Sequence, residues 1–133
     1  MHFLVKRLEL QEWQIRLLLL GFGGLGAWSR YAVGLLLHGV TVPFPLATWV
    51  CNMIGSFLLG LLRMQAGTSS RWSHPSIQRL IGTGYLGAFT TFSAFGLESW
   101  NIVQSEGIWI AGSYVLSSLG VGMSLVWVVN RVR

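Results

Sequence analysis

The chain has 133 residues, 53% of them hydrophobic and 10% charged, with a formal net charge of +5. Soluble domains usually carry about 25% charged residues, so this composition argues against a soluble domain and for one membrane domain covering residues 1–133. Cys51 stands alone and His2, His38 and His74 are scattered, which leaves no internal disulfide, no cysteine cluster and no histidine spacing suited to a transition metal.

Lys6 and Arg7 at the N-terminus run into Glu9, Glu12 and Gln14, which is not a signal-peptide core, so the first span is expected to be retained. Residues 3–13 read as a short interfacial helix, with Phe3, Leu4, Leu8 and Trp13 partly toward lipid. A spanning helix needs roughly 20 mostly apolar residues. Four such stretches fit, at about 15–37, 46–62, 77–103 and 108–129. His38 to Thr41, Pro43 and Pro45 separate the first two. Arg63 to Pro75 is the long polar connection, and Gln104-Ser105-Glu106-Gly107 forms a short turn before the last span. The expected fold is an all-α membrane protein of four transmembrane helices. Both termini and the middle connection then share one side, which holds Lys6, Arg7, Arg16, Arg63, Arg71, Arg79, Arg131 and Arg133. The other side holds only His38 and Glu106, so the positive-inside rule places the termini in the cytoplasm. Small residues gather within the spans, as Gly21, Gly23, Gly24 and Gly26 in the first and Ser113, Ser117, Gly120 and Ser124 in the fourth. They let helix backbones approach closely in lipid, which implies a tight bundle or an oligomer.

Some residues are not explained by packing. Thr48, Asn52 and Ser56 lie four apart on one face of the second span. An asparagine at this depth is costly without partners. It serves either as an interhelical hydrogen bond that holds the bundle or as part of a hydrated polar path, and three aligned polar groups favour the path. Tyr114 and Ser118 repeat the spacing on the fourth span. Such uncharged donors are what an anion needs in place of its water. The third span carries Gly82-Thr83-Gly84-Tyr85-Leu86-Gly87-Ala88-Phe89-Thr90-Thr91-Phe92-Ser93-Ala94-Phe95, where glycines and β-branched threonines predict a break in the middle of the helix. Irregular backbone at that depth survives only inside protein or beside a wet cavity, and its freed carbonyls suit a cation. Phe92 and Phe95 share a face at i and i+3, and the rim of an aromatic ring is electropositive. Phenylalanines at helical spacing are more often core or lipid-facing, so periodicity alone does not assign them a role. Arg30 and Glu98 are the charges set well within spans. Each is a functional candidate, or pairs, or reaches the interface.

These residues resemble a known family. Gly26-Ala27-Trp28-Ser29-Arg30, the run Thr48-Trp49-Val50-Cys51-Asn52-Met53-Ile54-Gly55-Ser56-Phe57, the stretch Gly84 to Phe95 with Glu98 beyond it, and the pair Tyr114 and Ser118 are similar to the motifs of the small bacterial fluoride channels, the Fluc or CrcB family. The resemblance covers about residues 21–124, and the third-span string is its most specific part. It implies passive, fluoride-selective transport that relieves cytoplasmic fluoride toxicity, in the bacterial cytoplasmic (inner) membrane. It implies an antiparallel, dual-topology dimer with two pores and a central structural Na+ held by the backbone carbonyls of Gly87 and Thr90. Phe92 and Phe95 would offer ring edges to fluoride. Thr48, Asn52, Tyr114 and Ser118, with Thr91 and Ser93 of the signature, would line the pore, and Arg30 would draw anions into a vestibule. Three positions depart from the family pattern: Ala47 precedes Thr48 in place of glycine, Ala88 follows Gly87 in place of a second glycine, and Ala94 stands where threonine is common.

The charge asymmetry raises a question about the partner. Antiparallel homodimers of this kind insert in both orientations and carry little bias, which leaves a homodimer or a heterodimer with an oppositely oriented related subunit. A rival reading is a small proton-coupled exporter of the multidrug type, whose essential membrane carboxylate would have to be Glu98. A non-transporting assembly factor would need only the glycine packing and leaves the aligned polar groups unexplained. The chain holds no nucleophile–base pair, phosphate loop or cofactor fingerprint of an enzyme. Its arginines flank spans instead of forming a nucleic-acid patch.

Overall fold

The computed structural model describes residues 11–39 and 44–131. Most of the interfacial helix expected over residues 3–13 lies outside them, as do Pro43, Lys6, Arg7 and Arg133. Among the described residues every regular element is helical. Helix α1 (Glu12–Leu37) starts where the Gln11 N–H donates to Gln14 Oε1 at 2.9 Å. Helix α2 (Leu46–Met64) follows, and a 3₁₀ turn (Arg71–Ser73) leads into α3. Helix α3 opens at Pro75, whose missing N–H costs nothing at a first helical position. It runs from Pro75–Ile77 into a π-helix over Gln78–Leu86 and closes with Gly87–Phe89. Helix α4 (Phe92–Ser105) and α5 (Ile108–Arg131) complete the chain. Between them Gly107 takes φ 93°, a left-handed value open to glycine, and its N–H joins that of Glu106 on the Ile102 carbonyl at 3.0 and 2.8 Å.

Contacts between helix ends give the chain its up-and-down course. At one end Arg79 pairs with Glu12 at 3.5 Å, Gln78 donates to the Leu62 carbonyl at 2.8 Å, and Gly60 faces Val129. Arg16, Arg63, Arg79 and Arg131 gather there. At the opposite end Ile102, Ala111 and Tyr114 form a buried cluster covered by Phe44, Trp49 and Phe95.

Helices meet where side chains are missing. A Cβ on Gly26 of α1 would overlap the Tyr85 carbonyl of α3, and one on Gly84 would meet Phe22 Cβ at 3.1 Å and Leu19 Cδ2 at 3.2 Å. Gly55 of α2 receives the Thr90 methyl, and Gly122 of α5 lies against Met53 of α2. The small-residue stripe on the last span does not pack within the chain. Ser113, Gly120 and Ser124 face outward, and Ser113, Ser117 and Ser124 donate to carbonyls within their own helix at 2.7, 3.0 and 2.7 Å. Gly122, one residue pair away from that stripe, makes the contact instead.

The outer surface is apolar. Leu20, Leu36, Trp109, Leu116 and Met123 are each more than two-thirds exposed, far beyond the apolar patches that a soluble monomer tolerates. Three helical stretches are long and apolar enough to cross a membrane: Leu46–Met64, Pro75–Ser105 and Ile108–Arg131. At about 1.5 Å per residue, even the shortest of them matches a hydrocarbon core of about 30 Å. Helix α1 has 26 residues but carries Arg16, Arg30 and several glycines, and falls outside that set.

Candidate functional site

The predicted break in the third long helix falls at Thr90 and Thr91. Both are extended, with φ and ψ of −79° and 159° and of −149° and 129°. β-Branched residues favour such backbone, and each threonine also closes one helix end. Thr90 Oγ1 donates back to the Leu86 carbonyl at 2.9 Å, and Thr91 Oγ1 accepts the Ala94 N–H at 3.2 Å as the cap of α4. Asn52, from α2, completes the arrangement. Its Oδ1 accepts the Thr91 N–H at 2.8 Å while its Nδ2 donates to the Thr91 carbonyl at 3.0 Å. Unpaired peptide groups in lipid cost several kcal/mol each, and this one side chain satisfies two of them. The interhelical role weighed for Asn52 is thus present in the structure, at the break itself.

That bond has a consequence for the carbonyls. In a continuous helix the Gly87 oxygen would accept the Thr91 N–H, which Asn52 takes instead. The Thr90 oxygen, turned out of the ladder, receives Arg30 Nη1 at a long 3.4 Å. Gly87 is exposed. Two under-used backbone oxygens at an open surface suit a hard cation, which takes oxygen ligands, though one chain alone offers too few to enclose it.

Cavities lie on both sides of the break, and Thr91 lines each. One, of about 300 Å³, is bordered by Asn52, Ser56, Gly87, Thr90, Phe92 and Ser118. Phe95 also borders it, at 5.8 Å from the Phe92 ring and 5.2 Å from Tyr114. Phe92 is 83% exposed, unlike a core phenylalanine. Ser118 is buried, and its hydroxyl has no partner among the described residues. The other cavity, of about 510 Å³, is lined by Arg30, Thr48, Thr91, Ser93, Ala94 and Glu98. Arg30 and Glu98 share it without pairing, since the ion pair formed among the described residues is Arg79 with Glu12.

The helices thus bring Phe92, Phe95, Asn52, Ser118, Thr90 and Gly87 to one cavity and Arg30, Thr48 and Ser93 to the other, with Thr91 between. Tyr114 borders neither. It is fully buried, and its hydroxyl donates to Glu98 Oε2 at 3.0 Å while Thr48 donates to Oε1 at 2.7 Å.

A family model described as CrcB-like protein, Camphor Resistance (CrcB), matches residues 17–129. The chain belongs to the CrcB family. It is 39% identical over 119 residues to the "Fluoride-specific ion channel FluC" of Methylobacillus flagellatus, covering 86% of this chain and 90% of that protein. It is 47% identical over 106 residues to "Fluoride-specific ion channel FluC 2" of Listeria monocytogenes serotype 4b, covering 79% of each. These relatives are ion channels by name, not enzymes. Against the other CrcB expectations, Glu98 is the residue that sequence reasoning under-read. A lone carboxylate inside a span is a signal in its own right, but the two hydroxyls that converge on it come from helices 50 and 16 residues away in sequence.

Proposed function

We propose that the chain is a fluoride-selective channel that passes F− passively down its electrochemical gradient and so lowers cytoplasmic fluoride. The observation that carries this reading is the pair of cavities flanking the Thr90–Thr91 break, lined by uncharged donors, two phenylalanine rings, the cation Arg30 and the carboxylate Glu98. An anion entering past Arg30 would exchange water for the hydroxyls of Ser93 and Thr91 and then meet the rims of Phe92 and Phe95 and the free hydroxyl of Ser118. None of these donors carries charge, so binding stays weak enough for release. The relatives named as fluoride-specific channels support the same reading.

Four transmembrane helices, with α1 as the first, and an antiparallel dimer with two pores complete the proposal. The carbonyls of Gly87 and Thr90 from both copies would hold a central Na+, whose charge would fix the two breaks against each other. The one-sided basic residues favour a partner of opposite orientation over a second copy of this chain. The setting is the cytoplasmic membrane of a bacterium.

Fluoride efflux from liposomes holding the purified protein, alongside chloride-loaded liposomes, tests the function. Rapid fluoride release without chloride release is expected. Absence of fluoride release from the protein, alone and with an oppositely oriented family member, would overturn the reading. The competing proton-coupled exporter requires Glu98 to alternate between proton and substrate. Sustained fluoride flux in Glu98→Gln would remove that mechanism.

A further inference from the structure

Glu98 of α4 accepts a hydrogen bond from α2 and another from α5. Thr48 Oγ1 donates to one carboxylate oxygen at 2.7 Å and Tyr114 OH to the other at 3.0 Å. Both donors are buried, Tyr114 completely. Phe44 and Phe95 wedge the tyrosine ring in place, with centroids 5.0 and 5.2 Å away. A hydroxyl has one proton and two lone pairs. Protons committed to Glu98 cannot be donated to an anion, so these two oxygens have only lone pairs left to offer elsewhere. The same cavity wall carries Arg30, which makes no ion pair with Glu98 and has only the long contact to the Thr90 carbonyl.

We infer that Glu98 is a positioning residue of the pore, which keeps the Thr48 hydroxyl turned away from the anion so that Arg30 attracts fluoride without trapping it, while the buried Tyr114 holds the carboxylate in place. This rests on the channel reading and assigns Glu98 a part in it. A guanidinium joined by an inward Thr48 hydroxyl donor would make a deeper anion well. Hydrogen bonds to charged groups are among the strong ones, and a channel conducts only if its sites release the ion. Glu98 prevents the well by accepting the Thr48 hydrogen bond and by adding a carboxylate to the cavity that Arg30 lines. In Thr48 and Tyr114 it therefore reverses the donor role that their place in the polar track suggests.

The test is concentration-dependent fluoride flux in liposomes for the wild type and Glu98→Gln. The amide keeps the shape but has one acceptor oxygen, and its NH2 donates, so with that oxygen held by Tyr114 the Thr48 hydroxyl must accept and its own proton is released toward the cavity. Half-saturating fluoride is expected to fall about tenfold, the worth of one hydrogen bond to a charged group, while maximal flux also falls because release slows. Adding Tyr114→Phe to Glu98→Gln frees the amide oxygen to accept from Thr48 again and is expected to return the half-saturating concentration toward the wild-type value. A loss of maximal flux with unchanged or raised half-saturation, or no reversal in the double variant, would overturn the inference. A second measurement needs no variant. The chain has Glu9, Glu12, Glu98 and Glu106 and no aspartate, so carboxyl-labelled glutamate gives few signals in solid-state NMR. Saturating fluoride should leave the Glu98 carboxyl shift in place, and displacement of that signal as the hydroxyls leave it would count against the proposal. Wild-type protein that passes no fluoride, both alone and with an oppositely oriented family member, would sink the channel reading itself, whereas wild-type flux with an unaltered Glu98→Gln curve sinks only this role.

Discussion

Phe92 and Phe95 illustrate how far a residue type carries meaning. Their three-residue spacing is what any packed helix face would show, yet Phe92 stands 83% exposed beside a cavity that also holds polar Asn52 and Ser118. Replacing either ring by isoleucine keeps an apolar side chain and removes the electropositive rim. Fluoride flux should drop by at least about tenfold in each variant, the value of one lost anion contact, with the yield of folded protein unchanged. Flux equal to wild type in both would refute the rim as a ligand. Asn52 is a different case, because its amide is spent on the Thr91 backbone. Asn52→Leu strands the part-buried N–H and carbonyl of Thr91, at a cost of about 1–2 kcal/mol. Thermal unfolding in detergent should show that loss, and wild-type stability in the variant would mean that the amide does not hold the break.

At the scale of the helix, α3 departs most from an ordinary α-helix. The π-helical run Gln78–Leu86 was not foreseeable from apolar periodicity, since slipping from i−4 to i−5 bonding shifts each face gradually. Its glycines make the slip affordable: the Gly87 N–H reaches the Gly82 carbonyl, and Gly82 and Gly84 press against α2 and α1 respectively. Close approach also separates glycines that look alike in sequence. A Cβ on Gly26 would meet backbone atoms of Tyr85 and Phe89, while Gly24 has nothing within 4 Å. Gly26→Ala should therefore destabilise the fold by about 1–3 kcal/mol, the range for overpacking, and Gly24→Ala should stay close to wild type. Equal melting temperatures for the two variants would contradict this α1–α3 contact.

For the molecule as a whole, charge and shape make separate statements. Arg16, Arg63, Arg79 and Arg131 come together at one end of the bundle because the helices alternate in direction, and Glu106 lies toward the other. Basic residues resist translocation, so one orientation should dominate. Reporter tags on the C-terminus should be found exclusively in the cytoplasm, which would make an oppositely oriented partner necessary for an antiparallel dimer. A near-equal split would instead favour a homodimer assembled from both orientations. Gly87 and the Phe92 ring are exposed on the single chain, on surface that the proposed second subunit would cover.

Much of this was legible in the sequence. Composition alone determined that the chain is built for lipid, because so few charged residues cannot cover a soluble surface. Apolar runs set the helices to within a few residues, and the glycine–threonine string marked the break, since those residue types weaken a helix through their own backbone preferences. Tertiary structure decided the rest. Which glycine packs, which hydroxyl points at Glu98 and which carbonyl is left without its helical donor depend on atoms brought together from distant parts of the chain. A hydroxyl or an amide can donate in many directions, and only its neighbours in space select one.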